Sequence, residues 1–309
     1  MPTTEHLLHE LVAAAGLPDV RSSEPLRGHG FNHEILRATL ADSRQIVLRR
    51  RQQASRPLPH GRTRFLSEHA VPAPALLGGN EHATLYEYVP GEMLSTLVDE
   101  DRMTDDAWRT VGTAFRRVHA VRFPSAMTGD FGPDALVLTP TDPVNDLHQL
   151  LADAEPRLSA NLPFVIPHLP RLHAVIDEHA GPLRETPTAL LHGDVFLANV
   201  IVGRSQTTLI DWDEPRVGDP AREIADLDER IHLINGGRLP DAFFETYGAR
   251  PSTTALHRLT GAIRWFAHGP FAGWDIDPGL DPDRRAQAIA WRNGLVAYLA
   301  GIGQRLKDF

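Results

Sequence analysis

Short apolar runs along the first part of the chain predict a small β-sheet with few helices. Apolar positions at helical spacing predict a first helix over 4–15. Apolar runs over 34–40 and 45–48, separated by a polar turn, predict a β-hairpin. A short helix is expected over 63–69 and a further strand over 83–89. The N-terminal part is therefore expected to be a small sheet with one or two helices.

The pattern changes to helical spacing after Pro90-Gly91. An apolar stripe along 105–121 predicts a long amphipathic helix, and a Pro behind an Asp cap starts a helical segment at Asp219-Pro220. Three short apolar strands lie between these helices, over 188–191, 199–202 and 207–210. We therefore predict two units, residues 1–90 and residues 91–309.

Composition and charge narrow the class of protein. The chain has 42% hydrophobic residues and a net charge of −9, which is ordinary for a globular protein and disfavours a duplex nucleic acid as partner. There is no cysteine, and the 16 histidines are scattered, so neither residue type suggests a metal site. No segment resembles a signal peptide or approaches the ~18 apolar residues of a membrane span. We expect a cytoplasmic protein without a membrane partner, and its oligomeric state stays open.

The residues that carry chemistry lie between 192 and 211. A hairpin over 199–210, turning at 203–206, would bring Asn199 and Asp211 together, with Asp194 just upstream on the same edge. Phosphoryl transfer needs a carboxylate that orients the attacking hydroxyl, and oxygen ligands that hold Mg²⁺ on the phosphates. One catalytic carboxylate and two metal ligands can therefore converge here. The alternative is that Asp194 and Asp211 are turn and strand-end carboxylates of an unrelated α/β protein.

The motif His192-Gly193-Asp194, followed by Asn199, Asp211 and Gly218-Asp219-Pro220, resembles the aminoglycoside phosphotransferase and choline kinase family. The resemblance implies a two-lobed, protein-kinase-like α+β fold. Residues 1–90 would form a small antiparallel-sheet lobe that binds the nucleotide, and residues 91–309 a larger, mainly helical lobe. Asp194 would be the catalytic base, and Asn199 and Asp211 the Mg²⁺ ligands. Three further residues would be structural near the site: His192, Asp213 and Asp219.

The same resemblance implies a site for ATP or GTP in the N-terminal part. The triphosphate would be covered by the loop that contains Gly28, Gly30 and Asn32. The base would bind the carbonyl of Glu87 and the N–H of Val89, between Leu48 and Ile210. Each of these apolar residues could equally be a plain core residue.

A phosphate-clamping cation is expected at Arg49, where the family commonly has Lys. The only lysine of this chain is Lys307, and Arg offers phosphate a bidentate fork. Arg50 or Arg51 could take this place instead. The acidic helix residue that usually pairs with this cation has no counterpart between Arg49 and Leu66. Either Glu68 supplies it, or Asp211 and the nucleotide hold Arg49.

The acceptor site is implied on the helices after Asp226. Acids and aromatic rings there suit a cationic acceptor. An aminoglycoside-like antibiotic is the first hypothesis. A metabolite alcohol, such as an amino alcohol or a glycated amine, is the alternative, and a non-catalytic pseudokinase is a third reading. An acidic solvated face would explain the same residues. The candidate acceptor contacts are Asp226, Asp228, Glu229, Trp265, His268 and Trp274.

Overall fold

A computed structural model describes residues 3–26, 34–50, 60–132, 135–269, 274, 276–280 and 282–309. The N-terminal part is one antiparallel five-stranded sheet with the order β1-β2-β3-β5-β4. Helix α1 packs on one of its faces, where apolar side chains of helix and sheet form a buried cluster. This confirms the predicted antiparallel N-terminal sheet. Its elements are α1 (Thr4–Ala14), β1 (Val20–Pro25), β2 (Ile35–Leu40), β3 (Gln45–Arg50), α2 (His60–Glu68), β4 (Leu76–Gly79) and β5 (Ala83–Glu87).

The C-terminal part is mainly helical, as predicted, and it also contains two small sheets. A three-stranded sheet has the order β12-β11-β6, and a five-stranded sheet has the order β7-β10-β13-β8-β9. The strands are β6 (Glu92–Met93), β7 (Arg122–Ser125), β8 (Met127–Phe131), β9 (Leu136–Pro140), β10 (Pro187–Leu191), β11 (Val200–Val202), β12 (Thr207–Leu209) and β13 (Arg216–Gly218).

Strands β6 to β9 are absent from the sequence prediction, which has only helix between Gly91 and the strand at 188–191. Most of their side chains are exposed or half-buried, so they lack the apolar run that reveals β10. Cross-strand pairing stabilises such strands more than their own composition does. Strands β6, β7 and β8 pair with β11, β10 and β13, which lie far away in the sequence, and β9 pairs with β8 in a local hairpin.

Two apolar cores hold the helices together. One lies around α4 and the loops that carry the predicted site, and the other among α5, α6, α10 and α11. No helix among the described residues is long and apolar enough to cross a membrane. The helices are α3 (Leu94–Asp99), α4 (Asp105–His119), α5 (Pro143–Asn161), α6 (Leu169–Glu178), α7 (Ala180–Glu185), α8 (Pro220–Asn235), α9 (Asp241–Tyr247), α10 (Thr254–Ala267), α11 (Pro282–Ala300) and α12 (Ile302–Arg305).

Candidate active site

The loop 192–199 leaves the C-terminal end of β10 and is fixed at its first two residues. His192 is 1% exposed, and its ring Nε2–H donates to the carbonyl of Ile210 (2.8 Å). The ring also packs on Trp212, with 4.5 Å between the centroids. His192 therefore joins this loop to the segment that follows β12, which fits the structural role predicted for it.

Gly193 allows the loop to turn sharply. It has a φ of +83°, and its N–H donates to Glu223 Oε1 (3.1 Å). A Cβ at this position would overlap the carbonyl oxygen of Glu214. Only glycine satisfies both the backbone angle and this close approach. The residue before Asp194 is thus held from two sides.

Asp194, the predicted catalytic residue, has a half-buried side chain on this loop. Burial raises the pKa of its carboxyl group, and the negative charge of Asp211 raises it further, while His192 and Arg230 act in the opposite direction. The backbone carbonyl of Asp194 accepts from the N–H of Phe196 (2.9 Å) and from Asn199 Nδ2 (3.0 Å). Among the described residues no hydrogen bond engages the carboxylate itself.

The predicted hairpin is confirmed. Strands β11 and β12 pair antiparallel, and the turn closes with the N–H of Gly203 donating to the carbonyl of Gln206 (2.9 Å). At the open end the N–H of Ile210 donates to the carbonyl of Asn199 (2.8 Å). The hairpin therefore brings Asn199 next to Asp211, on the edge that carries Asp194.

The donor set of Asn199 and Asp211 fits Mg²⁺. Asn199 uses Nδ2 for the loop, which leaves its Oδ1 for another partner. Asp211 is held at a φ of +64°, and its Oδ1 is buried without a hydrogen bond among the described residues, although Arg49 lies within ion-pair distance. Both groups offer the hard oxygens that Mg²⁺ requires. The described residues contain no group of three or more His, Cys, Asp or Glu that could hold a metal alone, so phosphate and water oxygens would complete the shell.

Two arginines bind the acids that follow β12. Arg49 Nη2 lies 2.8 Å from Asp211 Oδ1 and 2.9 Å from Asp213 Oδ2. Arg62, on α2, lies 3.2 Å from Asp213 Oδ1, and it donates to the backbone carbonyl of the same residue (3.0 Å). Asp213 thus bridges a strand and a helix of the N-terminal part. Of the two alternatives for Arg49, the structure favours the one in which Asp211 holds it, with Asp213 as a second partner and no role for Glu68.

Arg62 was missed because the prediction looked for an acid on this helix. The structure has the opposite charge there: α2 carries the base, and the acid comes from the segment after β12. The absence of any Glu or Asp between Arg49 and Leu66 was the available signal. This absence indicated that the ion pair is missing. It did not indicate that the helix carries a base whose acid partner comes from another segment.

The prediction that Leu48 lines the base site is wrong. Successive side chains of a strand point to opposite faces of the sheet. Arg49 faces Asp211 and the cleft between the N-terminal sheet and the segment after β12, so Leu48 cannot face this cleft. Leu48 is 0% exposed and belongs to the cluster under α1. Val47 shares the face of Arg49, and Tyr86 lies directly across from Val47 on β5, whereas Arg49 itself pairs with Thr84. Burial raises the pKa of Tyr86, while a hydrogen bond with Thr84 and the positive charges of Arg62 and Arg49 act in the opposite direction.

The remaining nucleotide contacts are placed only in part. Glu87 ends β5 with an exposed side chain, and Val89 and Ile210 are half-buried, so all three can face a ligand. Gly28, Gly30 and Asn32 lie outside the described residues. The roles proposed for these residues stay predictions.

Asp219 caps α8 and ties it to α10. Its Oδ1 accepts from the N–H of Ala221 (2.8 Å), and its Oδ2 accepts from Thr253 and His257 (3.0 Å each). Burial alone would raise the pKa of Asp219, but the hydrogen bonds from His257, Ala221 and Thr253 lower it overall. These contacts agree with the structural role predicted for Asp219.

Glu223, one turn into α8, was not foreseen. It is 3% exposed, accepts from the N–H of Gly193, and contacts His119 Nε2 at 2.9 Å. An acid in the first turn of the helix after Asp219-Pro220 was the only sequence signal. Glu223 therefore anchors the loop 192–199 to the long helix α4.

The acids predicted to face the acceptor are already paired within the protein. Asp226 accepts from Arg264 Nη2 (3.1 Å), and Glu229 accepts from Trp265 Nε1 (3.0 Å). Asp228 is buried, accepts from the N–H of Leu239 (2.8 Å) and pairs with Arg250. Asp228 thus stabilises the segment after α8, and we do not propose it as an acceptor contact.

The last two predicted acceptor contacts have partners on other helices. His268 is exposed, with Nε2 at 3.5 Å from Asp153 Oδ2. Trp274 packs against Phe266 (5.9 Å between centroids) and under the guanidinium of Arg292 (5.0 Å). Neither contacts the loop 192–199 among the described residues, and their acceptor role stays a prediction.

Comparison with known proteins agrees with this geometry. The family model of the phosphotransferase enzyme family, APH, matches residues 25–262, which is more than half of the chain. The chain belongs to this family and is an enzyme of the small-molecule O-phosphotransferase class. No curated protein matches its sequence.

Solved structures from this group share the fold at low identity. A thermostable mutant of aminoglycoside phosphotransferase APH(4)-Ia, in a ternary complex with AMP-PNP and hygromycin B, has a TM-score of 0.61 at 17% identity, over 96% of this chain and 98% of that one. Macrolide 2'-phosphotransferase MphH from Brachybacterium faecium has a TM-score of 0.59 at 18% identity, over 96% of this chain and 98% of that one. Choline kinase LicA from Streptococcus pneumoniae has a TM-score of 0.59 at 15% identity, over 95% of this chain and 99% of that one.

Proposed function

We propose that this enzyme transfers the γ-phosphoryl group of ATP or GTP to a hydroxyl of a small molecule, with Asp194 as the base. The observation that carries the proposal is the hairpin β11–β12. It puts Asn199 and Asp211 side by side, on the edge where a rigid loop presents Asp194. One carboxylate free of hydrogen bonds and two oxygen donors are the groups that phosphoryl transfer requires.

In the reaction, the acceptor hydroxyl donates its hydrogen bond to Asp194. Its oxygen forms the new bond to the γ-phosphorus as the bond from that phosphorus to the β–γ bridging oxygen breaks. The proton passes to the Asp194 carboxylate and then to solvent. A pKa raised by burial makes this carboxylate a better proton acceptor than an exposed Asp. Phosphoryl transfer depends mainly on position, and the anchors at His192 and Gly193 supply it.

Arg49 is the proposed phosphate ligand of the N-terminal part. It lies 2.8 Å from Asp211, and its guanidinium is held in place by two carboxylates. Arg62 supports this arrangement through Asp213. Asn199 and Asp211 would hold Mg²⁺, whose charge offsets that of the phosphates. The division into nucleotide-binding residues 1–90 and acceptor-binding residues 91–309 stays part of the proposal.

The hypothesis of a cationic antibiotic as acceptor loses its main support. It rested on the acids of α8, and three of them are paired with Arg264, Trp265 and Arg250. A metabolite alcohol remains open on equal terms. Other residues must therefore determine the chemistry of the acceptor.

The test is acceptor-dependent release of nucleoside diphosphate. The full chain is incubated with Mg²⁺ and either ATP or GTP, against aminoglycosides, macrolides, amino alcohols, sugars and hydroxy acids. We expect release with one acceptor class, together with a phosphorylated product, and loss of both when EDTA removes the metal. Nucleotide binding without transfer to any acceptor would contradict the proposal and favour a pseudokinase.

A further inference from the structure

Arg230 is a buried cation that has no polar partner among the residues that the structure describes. It lies on α8 with 8% of its surface exposed. Its Nε is buried without a hydrogen bond. Within the described parts of the chain, its guanidinium donates no hydrogen bond and has no carboxylate within the 4.0 Å of an ion pair. Arg250 and Arg264, which also contact aromatic rings, each pair with a carboxylate.

Aromatic rings surround the guanidinium. Its central carbon lies 4.0 Å from the ring centroid of Trp291, 4.2 Å from that of Phe196 and 5.0 Å from that of Trp265. Such contacts stabilise a cation over its flat faces. They leave the N–H groups at its edge without acceptors, and Arg stays charged in proteins. A buried Arg with open donors is a costly arrangement unless a ligand completes it.

The nearby acids do not complete it. Glu229, Asp226 and Asp194 raise the pKa of Arg230 against the lowering effect of burial, so their charges are felt. None of them contacts it, since Glu229 accepts from Trp265 and Asp226 accepts from Arg264. The remaining acid is Asp194, which the proposed mechanism reserves for the acceptor hydroxyl.

Arg230 lies beside the loop that carries Asp194. Phe196, which stacks on it, follows Asp194 by two residues and donates its N–H to the Asp194 carbonyl. The positive charge of Arg230 also lowers the pKa of Asp194. The nucleotide side has its own cations, Arg49 and Arg62, paired with the acids after β12. An acceptor whose hydroxyl lies at Asp194 would therefore pass Phe196 and approach Arg230.

We propose that Arg230 binds an oxyanion of the acceptor, a carboxylate or a phosphate, and so selects hydroxy acids or phosphorylated alcohols over cationic acceptors. The proposal rests on the proposed function, in which Asp194 orients the acceptor hydroxyl. The planar fork of Arg suits two oxygens of one oxyanion. The rings of Phe196, Trp265 and Trp291 would suit an ammonium group, but the guanidinium of Arg230 already occupies the space between them. A polycationic acceptor would meet a buried positive charge.

The test measures binding apart from turnover. Trp265 and Trp291 flank Arg230, so tryptophan fluorescence of the full chain should change when an anion binds there. The probes are glycerate, gluconate and glycerol phosphate. Their uncharged counterparts are glycerol and gluconamide, and choline serves as a cationic probe. We expect at least one anionic probe to bind roughly tenfold or more tightly than its uncharged counterpart, as a charge-assisted hydrogen bond requires. Carboxylate and phosphate probes distinguish the two oxyanions.

Variants then assign the effect to the guanidinium. Arg230→Met keeps a long apolar side chain against the rings, and we expect it to weaken binding of the anionic probe about 10- to 100-fold. Arg230→Lys keeps the charge without the fork and should lose less. The matched control is Arg305→Met, because Arg305 also stacks on an aromatic ring at 4.2 Å, that of Tyr298 on α11. The control should bind as wild type does.

Four results would overturn the inference. Equal binding of anionic and uncharged probes would show that no oxyanion site exists, and so would preferential binding of choline. A change in nucleotide affinity of Arg230→Met, with acceptor binding unchanged, would move Arg230 to the nucleotide side. If Arg230→Met fails to fold, Arg230→Lys and the selectivity of wild type decide. Transfer to an uncharged acceptor that Arg230→Met leaves unchanged would refute this inference and retain the proposed function. Arg230-dependent binding of an anion without phosphoryl transfer would support this inference and contradict the proposed function.

Discussion

Replacement of Gly193 by alanine tests whether the loop 192–199 is rigid. The backbone there has a φ of +83°, and an added Cβ would overlap the carbonyl oxygen of Glu214. A left-handed conformation costs a non-glycine residue about 1–2 kcal/mol. Forced overlap in a packed site costs about 1–3 kcal/mol more. We therefore expect Gly193→Ala to lower the free energy of unfolding by about 2–5 kcal/mol.

Three control variants separate the two contributions. Gly16 has a φ of +64° and no neighbour within 4 Å, so Gly16→Ala measures the backbone cost alone. Gly112 on α4 would overlap the carbonyl oxygen of Phe243 without a positive φ, so Gly112→Ala measures overlap alone. Gly181 in α7 has neither, and Gly181→Ala should stabilise the protein by about 0.5–1 kcal/mol.

The assay combines denaturant unfolding with steady-state kinetics. Gly112→Ala and Gly16→Ala should change stability and leave kcat of the folded enzyme near wild type. Gly193→Ala should lower both, because its N–H anchors the loop to Glu223 directly before Asp194. If Gly193→Ala destabilises no more than Gly16→Ala and keeps its kcat, the loop can move away from Glu214. The argument for a rigid loop would then be wrong.

Three further predictions concern residues around the site. Asp213→Asn should raise the KM for the nucleotide about 5- to 30-fold with a smaller effect on kcat, because it weakens two ion pairs. The side chains of these pairs are largely buried, with Arg49 15%, Arg62 17% and Asp213 32% exposed. An unchanged KM in initial-rate measurements would refute the bridging role. His192→Leu should lower the free energy of unfolding by about 1–3 kcal/mol, because it leaves the carbonyl of Ile210 without its donor; equal denaturation midpoints would contradict this. Asp219 has a lowered pKa in the folded state, so it contributes stability above its unfolded pKa of about 3.9, and that contribution is lost as the pH falls below this value. The stability difference between wild type and Asp219→Asn should accordingly shrink in acid, and a difference constant with pH would show that the hydrogen bonds to Asp219 do not depend on its charge.

Local patterns carried the prediction of the catalytic hairpin. Apolar runs on both sides of a Gly-containing turn fix β11 and β12, and the pairing of a short hairpin follows from its turn. The face of Leu48 was also within reach of the sequence. Alternation along β3 requires Leu48 to point away once Arg49 faces the cleft, and applying that rule would have named Val47.

Long-range partners could not be predicted. Asp213 binds Arg62 across 151 positions of sequence, and no pattern near either residue indicates the other. The acids of α8 look alike in the sequence, yet their partners come from α10 and from the segment after α9. Whether an acid faces solvent, a ligand or an arginine depends on packing between helices. The same is true of Arg230.

The central claim is that Asp194 is the base of a phosphoryl transfer. The most direct measurement compares wild type with Asp194→Asn, and with Asp241→Asn as an exposed control, in acceptor phosphorylation and in equilibrium nucleotide binding. The account predicts that Asp194→Asn abolishes transfer and binds nucleotide as wild type does, while the control keeps both. Transfer by Asp194→Asn at a rate near wild type, with nucleotide binding intact, would contradict the account.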